Sequence, residues 1–172
     1  MNFGRALDAA LRGPGPASLA QVPALFRRID WQPGTRNADL GGGIHDLGSR
    51  YLQARGVENV VLDPARGPQD YERQLARLDR DGADSATIAN TLNVLPSRCE
   101  RLALLRLALQ VIRPGGACLI WCHEGDRSGK GKPSPRTGWQ CNLPTAAYEP
   151  EVRSVFRNVE RHGKAIIAWP EE

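Results

Sequence analysis

Apolar residues in this chain come in short runs whose period changes at glycine and proline. A run entering the glycines at 41–43, a β-branched run at 57–62, the segment 84–90 and the apolar stretch 117–122 read as strands. Between them, 47–56, 71–81 and 96–114 read as helices. Leu75 and Leu78 share one face of the second, and apolar residues at 102, 105, 109 and 112 form a stripe along the third. Pro114, Gly115 and Gly116 end that helix. A short helix at 149–156 and two strands at 157–169, turning at His162, Gly163 and Lys164, close the chain. Strands that alternate with helices and finish in a hairpin predict an α/β domain with a mostly parallel sheet. Upstream, amphipathic segments at 1–10 and 17–29 flank Gly-Pro-Gly-Pro at 13–16, with Leu19, Val22, Leu25, Phe26 and Ile29 near helical spacing. Residues 1–36 are therefore expected to be a helical lead-in that packs on the sheet or covers a ligand site.

The run NADLGGGIHD at 37–46 is the chemical centre of this pattern. Strand, triple-glycine turn and helix bring bare backbone and the free amides of a helix start to one point, where a Cβ would keep a ligand out. A second strand then ends on Asp63, about 20 residues after the turn, a position suited to accepting hydrogen bonds from a ribose. Together these describe a nucleoside-cofactor site. A dinucleotide enzyme spaces its glycines G-x-G-x-x-G to seat a pyrophosphate, whereas here Asp39 stands directly before Gly41, Gly42 and Gly43 with only Leu40 between. That carboxylate repels phosphate and suits S-adenosylmethionine, which carries an ammonium, a sulfonium and no phosphate. An ordinary strand-to-helix turn is the plainer alternative for the glycines alone.

ADLGGG at 38–43 resembles the first motif of the class I S-adenosylmethionine-dependent methyltransferases, and VVLD at 60–63 their second. Residues 84–96 resemble the family's fourth strand and the start of its next helix, and VIRPGGACLI at 111–120 is similar to its helix, Arg-Pro-Gly-Gly turn and fifth strand. The resemblance runs through 38–121 in the family's order. It implies a single domain over 1–172 with a Rossmann-like sheet flanked by helices, a C-terminal antiparallel hairpin and S-adenosylmethionine at Asp39, Gly41, Gly42, Gly43, Asp63 and Asn90. The family's third strand and its adenine-contacting acid have no clear counterpart. A reduced third strand is expected, with Asp79, Asp81 or Asp84 as either the adenine contact or plain surface acids. The tail, TGWQCNL at 137–143 and HGKAIIA at 162–168, is similar to a narrower group of small methyltransferases of bacteria and phages, some beside DNA-modification genes.

Asn90 falls at the C-terminal end of the central strand, where open α/β sheets place their ligands, and is the first candidate for a polar group beside the transferred methyl, with Thr91 and Asn93 behind it. Asn93 reads equally well as a helix cap. Exocyclic-amine methyltransferases continue this position with two prolines, which Asn90-Thr-Leu-Asn lacks, and a cytosine-C5 enzyme needs a cysteine nucleophile in a Pro-Cys pair, whereas Cys99 follows Arg98 inside a helix. His123, at the end of the fifth strand expected from the resemblance, is a general base, a substrate binder or a surface residue. Residues 125–140 form a basic loop expected to be mobile, either a lid whose Arg127 and Lys130 grip phosphates or a solubilising insertion. Thr137, Trp139 and Gln140 behind it could stack on and hydrogen-bond a planar substrate, unless Trp139 anchors the loop.

Composition narrows the rest. A net charge of +4 is a mild basic bias, weaker than a dedicated nucleic-acid domain usually carries. The expected acceptor is a nucleic acid or modified nucleotide, with a small molecule as alternative; a protein that binds the cofactor without turnover is the contrasting class. The four cysteines show no metal spacing, so no metal is assigned, and Cys118 and Cys122 read as buried apolar residues. No run is long enough to cross a bilayer, and the first residues do not read as a signal peptide. A cytoplasmic protein is expected, of unassigned oligomeric state.

Overall fold

A computed structural model describes residues 20–171. Eight strands appear: β1 (Arg36–Leu40), β2 (Glu58–Leu62), β3 (Ala83–Ala89), β4 (Ile112–Trp121), β5 (Lys132–Ser134), β6 (Gly138–Gln140), β7 (Asn158–His162) and β8 (Ala165–Trp169). The helices are α1 (Leu47–Gln53), α2 (Pro68–Asp81), α3 (Arg98–Val111) and α4 (Glu149–Arg153). Six strands make the main sheet in the order β2-β1-β3-β4-β8-β7, and β5 pairs with β6 in a separate ribbon. β2, β1, β3 and β4 are parallel, while β8 runs antiparallel to β4 and to β7.

Among the described residues no strand lies beyond β2, in line with the expected reduction. The cause is local. After Asp63 the chain makes one 3-10 turn at Pro64–Arg66 and enters α2, whose 14 residues run to within two positions of β3. No residue remains to form a strand there. Asp79, Asp81 and Asp84, the adenine candidates, sit at the opposite end of the sheet. Asp84, the second residue of β3, accepts the Arg36 N–H at 2.7 Å, Asp81 pairs with Arg80, and Asp79 accepts from Gln110. None of the three reaches the C-terminal edge, so of the two alternatives the adenine contact falls and the plain acids stand.

The two sheet faces are covered unequally. α2 and α3 bury Tyr71, Leu78, Leu104, Leu105 and Val111 over Ala38, Leu40, Ala86, Ile88, Cys118 and Ile120 in the larger core. The opposite face carries a smaller cluster of Phe26, Trp31, Leu52 and Val57 at α1. Here the helical lead-in is corrected. Residues 1–19 fall outside the described residues, and the segment expected as helix from 17 contains only a 3-10 turn, Phe26–Arg28. Pro23 interrupts it, lacking a donor for a continuing helix while its carbonyl accepts the Phe26 N–H at 3.1 Å. The segment still packs as expected: Phe26 meets Trp31 edge to face and accepts its indole N–H at 2.8 Å.

Asn93 is not a helix cap. Ser97 takes that role for α3 in a reciprocal capping box with Glu100. α3 then runs straight into β4, where the Arg-Pro-Gly-Gly run bulges between paired residues Ile112 and Ala117. Gly116 is required there, because a Cβ would stand 2.6 Å from the Asp84 carbonyl. Among the described residues no helix is long and apolar enough to cross a membrane.

A half-hidden ion pair joins the last helices. The Arg101 guanidinium donates to both Glu151 carboxylate oxygens at 2.8 Å and to the Leu95 and Pro96 carbonyls, so all its bonds run between α3, α4 and the loop before α3. Removing one partner strands the other charge in a poorly solvated place. Arg101→Ala is expected to lower unfolding free energy by about 3–5 kcal/mol, and Arg101→Met with Glu151→Met to recover most of it, measured by urea denaturation.

Candidate functional site

The site grows from the end of β1. Gly41 takes φ +79° and donates its N–H to the Leu62 carbonyl at 2.8 Å, carrying the ladder into the turn. A Cβ on Gly41 would meet Thr91 at 2.5 Å, and one on Gly42 would meet the Asp39 carboxylate at 2.4 Å. Gly43, at φ +72°, donates its N–H to Asp63 Oδ2 at 2.7 Å. Neighbours thus demand glycine at 41 and 42, and the left-handed backbone favours it at 43. Asp63 uses its other oxygen to accept the Ala65 N–H at 2.9 Å, which fixes the carboxylate across the β1–β2 edge while each oxygen keeps a free lone pair.

Asp39 lies beneath the turn and is only 3% exposed. It receives long hydrogen bonds of 3.4 Å from Asn59 and Thr87, part of a polar layer in which Asn37 bonds Asn59, Thr87 and Ser85. Burial pushes its carboxyl up to about 6; the Asn59 bond opposes the shift, and the nearby Asp63 charge adds to it. The structure therefore assigns Asp39 to the support of the turn, with its negative charge close under the backbone. Sequence reasoning does not single this layer out, although polar Asn37 and Asp39 two apart in an otherwise buried strand are its signal. Arg66 escapes it as well. It clamps the turn from outside, donating to the Gly43 carbonyl at 2.7 Å and to the Asp46 carboxylate at 2.9 Å.

The other wall is the end of β3 and β4. Asn90 adopts φ +61° and donates its N–H to the Trp121 carbonyl at 2.7 Å. A left-handed non-glycine at a ligand edge is strain of the kind that gathers at functional sites, and the Asn90 side chain has no hydrogen-bond partner among the described residues. Thr91 is buried and donates to the Leu40 carbonyl at 3.0 Å, locking the ends of β1 and β3 together. His123 stands exposed just beyond β4, and its backbone carbonyl accepts from Gln140.

The region 125–140, expected as a mobile loop, contains the β5–β6 ribbon. Gln140 faces inward, 8% exposed, with its amide bonded to Asn93 at 3.0 Å and to the His123 carbonyl at 3.1 Å. Trp139 lies so close to Gly131 that a Cβ there would be 2.4 Å from the ring, the anchoring alternative. Thr137 donates to the Trp139 carbonyl. Arg127 pairs with buried Glu124 at 2.6 Å and Lys132 with Asp126 at 2.9 Å, leaving Lys130 and Arg136 without an ion pair among the described residues. Burial works against the Glu124 charge, but the Thr145 N–H, Arg127 and Lys164 outweigh it and hold the carboxyl below its usual range.

Cys118 and Cys122 are buried as expected, and desolvation pushes the Cys122 thiol up to about 12. Neither is an available thiolate. The structure brings Asp39, Gly41, Gly42, Gly43, Asp63 and Asn90 to one edge at the switch between β1 and β3, and His123 to the neighbouring strand end. It places Gln140 and Trp139 in the packing of the ribbon.

Solved structures share this architecture. The chain superposes on the 1,6-didemethyltoxoflavin N1-methyltransferase of Burkholderia thailandensis, solved with 1,6-didemethyltoxoflavin and S-adenosylhomocysteine, with TM-score 0.60 and 17% identity over 98% of this chain and 83% of that one. Human N-acetylserotonin methyltransferase, in complex with S-adenosylmethionine, matches with TM-score 0.56 and 19% identity over 86% of this chain. Streptomyces venezuelae DesVI matches with TM-score 0.55 and 11% identity over 80% of this chain and 84% of its own. The fold is that of the class I methyltransferases. The chain spans about half the length of the human enzyme, 51% of it. No protein-family model and no curated protein matches the sequence.

The buried Asp39 makes stability depend on pH in a definite direction. Its folded value of about 6 lies above the ordinary 3.8, so the cost of ionising it is absent below about pH 4, builds between 4 and 6, and is complete above. Asp39→Asn is expected to match the wild type near pH 4 and to exceed it by roughly 2–4 kcal/mol at pH 7.5 in urea denaturation. A pH-independent difference would contradict the burial argument.

Proposed function

We propose that this chain is an S-adenosylmethionine-dependent methyltransferase acting on a small acceptor. The observation that carries the reading is the hydrogen bond from Gly43 N–H to Asp63, at the switch point and beside the strained Asn90. Glycine backbone, an anchored carboxylate with free lone pairs and a second buried carboxylate fit a cationic nucleoside cofactor and disfavour a pyrophosphate. When bound, S-adenosylmethionine supplies an electrophilic methyl group on a sulfonium that is already a good leaving group. The chain's own part is then positioning, which lowers a barrier without a strong base. Asp63 accepts from the ribose, the bare turn lets the cofactor approach, and Asn90 and His123 orient the acceptor.

From the sequence, the expected acceptor is a nucleic acid or modified nucleotide. The small-molecule reading, a free nucleotide included, is favoured here by charge. Two cations of the region 125–140, Arg127 and Lys132, pair with Glu124 and Asp126, which weakens it as a phosphate-backbone grip. Cys118 and Cys122, buried and with thiols pushed up by desolvation, likewise lend no support to a cysteine-dependent base methylation.

Calorimetric titration with S-adenosylmethionine, S-adenosylhomocysteine and NAD tests the cofactor. The first two are expected to bind and NAD not to; Asp63→Ala should weaken binding at least about tenfold through the lost ribose bonds and loosened turn. Absence of binding by either sulfur nucleoside would sink the proposal. Once an acceptor is in hand, Asn90→Ala and His123→Ala should each lower kcat/KM by about tenfold or more with the affinity for S-adenosylhomocysteine within about threefold. Unchanged turnover in both would put the acceptor at a different edge from Asn90 and His123.

A further inference from the structure

Charge is divided across the sheet edge. Asp39 and Asp63 stand at the β1–β2 side of the switch point, whereas cations gather at the end of β4. There Trp121, the last residue of the strand, has the Arg28 guanidinium 4.8 Å and the Lys164 ammonium 5.1 Å from its ring centre. The Trp121 carbonyl receives the Asn90 N–H at 2.7 Å, so this cluster adjoins the residue nearest the proposed methyl transfer.

Arg28 is held there by the fold. It ends the 3-10 turn whose Phe26 is fully buried, and its N–H is bonded to the Leu25 carbonyl at 3.0 Å. Stacking on an aromatic face fixes a guanidinium without using its N–H donors. Among the described residues no carboxylate or carbonyl accepts from the Arg28 side chain, and no ion pair involves it. Lys164 is different, because Glu124 lies 3.6 Å from its ammonium and also binds Arg127. One planar cation without an ion pair among the described residues therefore lies over the strand end that binds Asn90, beside a second that is partly neutralised. Such a fork matches a carboxylate or a phosphate.

We infer that Arg28, stacked on Trp121, is the anion anchor of the acceptor site, and that the acceptor is a small molecule bearing a carboxylate or a phosphate. This rests on the methyl-transfer reading for its role, though binding of the anion does not. The arrangement separates two opposite charges along one edge: a cationic cofactor at Asp39 and Asp63 by β1 and β2, an anionic acceptor at the cations over Trp121, Arg28 on the 3-10 turn and Lys164 in the β7–β8 turn. Each ligand is repelled from the other's place, which sets the order of the reacting partners across Asn90.

The test uses the full chain saturated with S-adenosylhomocysteine and follows the Trp121 indole N–H by NMR, assigned with Trp121→Phe. Benzoate and inorganic phosphate are titrated, with benzamide as the uncharged control. The expected result is binding of at least one anion about tenfold more tightly than benzamide, lost in Arg28→Gln, partly kept in Arg28→Lys and only weakened in Lys164→Gln. The tighter anion names the group. Equal binding of benzoate and benzamide, no response to either anion, or anion binding that survives Arg28→Gln would overturn the inference. Calorimetry with S-adenosylhomocysteine on the same samples reports separately on the cofactor. If that ligand fails to bind while the Arg28-dependent anion response persists, the methyl-transfer reading falls and takes the acceptor role with it.

Discussion

The ends of β1 and β3 approach so closely that side chains cannot fit between them, and the site results from that contact. Thr91 occupies the space a Cβ on Gly41 would need and ties itself to the Leu40 carbonyl, while the turn folds back until Gly42 lies against the Asp39 carboxylate. Only glycine satisfies both contacts at once. The same closeness leaves the Gly43 amide facing Asp63 and puts Asn90 into its left-handed conformation one residue past β3. Backbone, carboxylate and carboxamide thus reach one edge through packing between neighbouring parallel strands.

Holding that contact has an electrostatic cost. A carboxylate buried under the turn resists ionisation, and the polar layer of Asn37, Asn59, Ser85 and Thr87 offsets only part of this with two long hydrogen bonds to Asp39. Proteins keep such costs where function needs them. The negative charge beneath the bare turn suits a cationic ligand, and Arg66, which binds the turn from outside and is paired with Asp46, offsets it only in part. At the far end of the same edge the balance reverses, with Arg28 and Lys164 over Trp121.

Unequal covering of the sheet explains how Arg28 arrives there. α2, α3 and α4 fill one face with apolar side chains, and the bonds of Arg101 to Glu151 brace the last two helices against each other. The other face has α1 and the extended segment before β1, pinned by Phe26 and Trp31. That segment crosses from α1 to the end of β4. A cation on it reaches the working edge although it stands more than 90 residues from Trp121 in sequence.

Local chemistry was legible in the chain before any fold was known: the strand, glycine turn and helix, the β-branched run ending on Asp63, the α3 stripe, the closing hairpin and the two buried cysteines. Period, turn chemistry and spacing act over a few residues, and neighbours in the chain decide them. The missing strand beyond β2 was legible for the same reason, since α2 takes up the residues a strand would need. Other features depended on the assembled domain. Pro23 leaves a single 3-10 turn where helical spacing pointed to a helix, Asn93 and Gln140 face each other instead of a cap or a substrate, and Asp84 sits at the wrong end of the sheet for an adenine. Arg28, Trp121 and Lys164 carry no joint signal because they meet only across three separate elements. A side chain's partners depend on sheet order and on which face it occupies, and those are settled by burial over the whole domain.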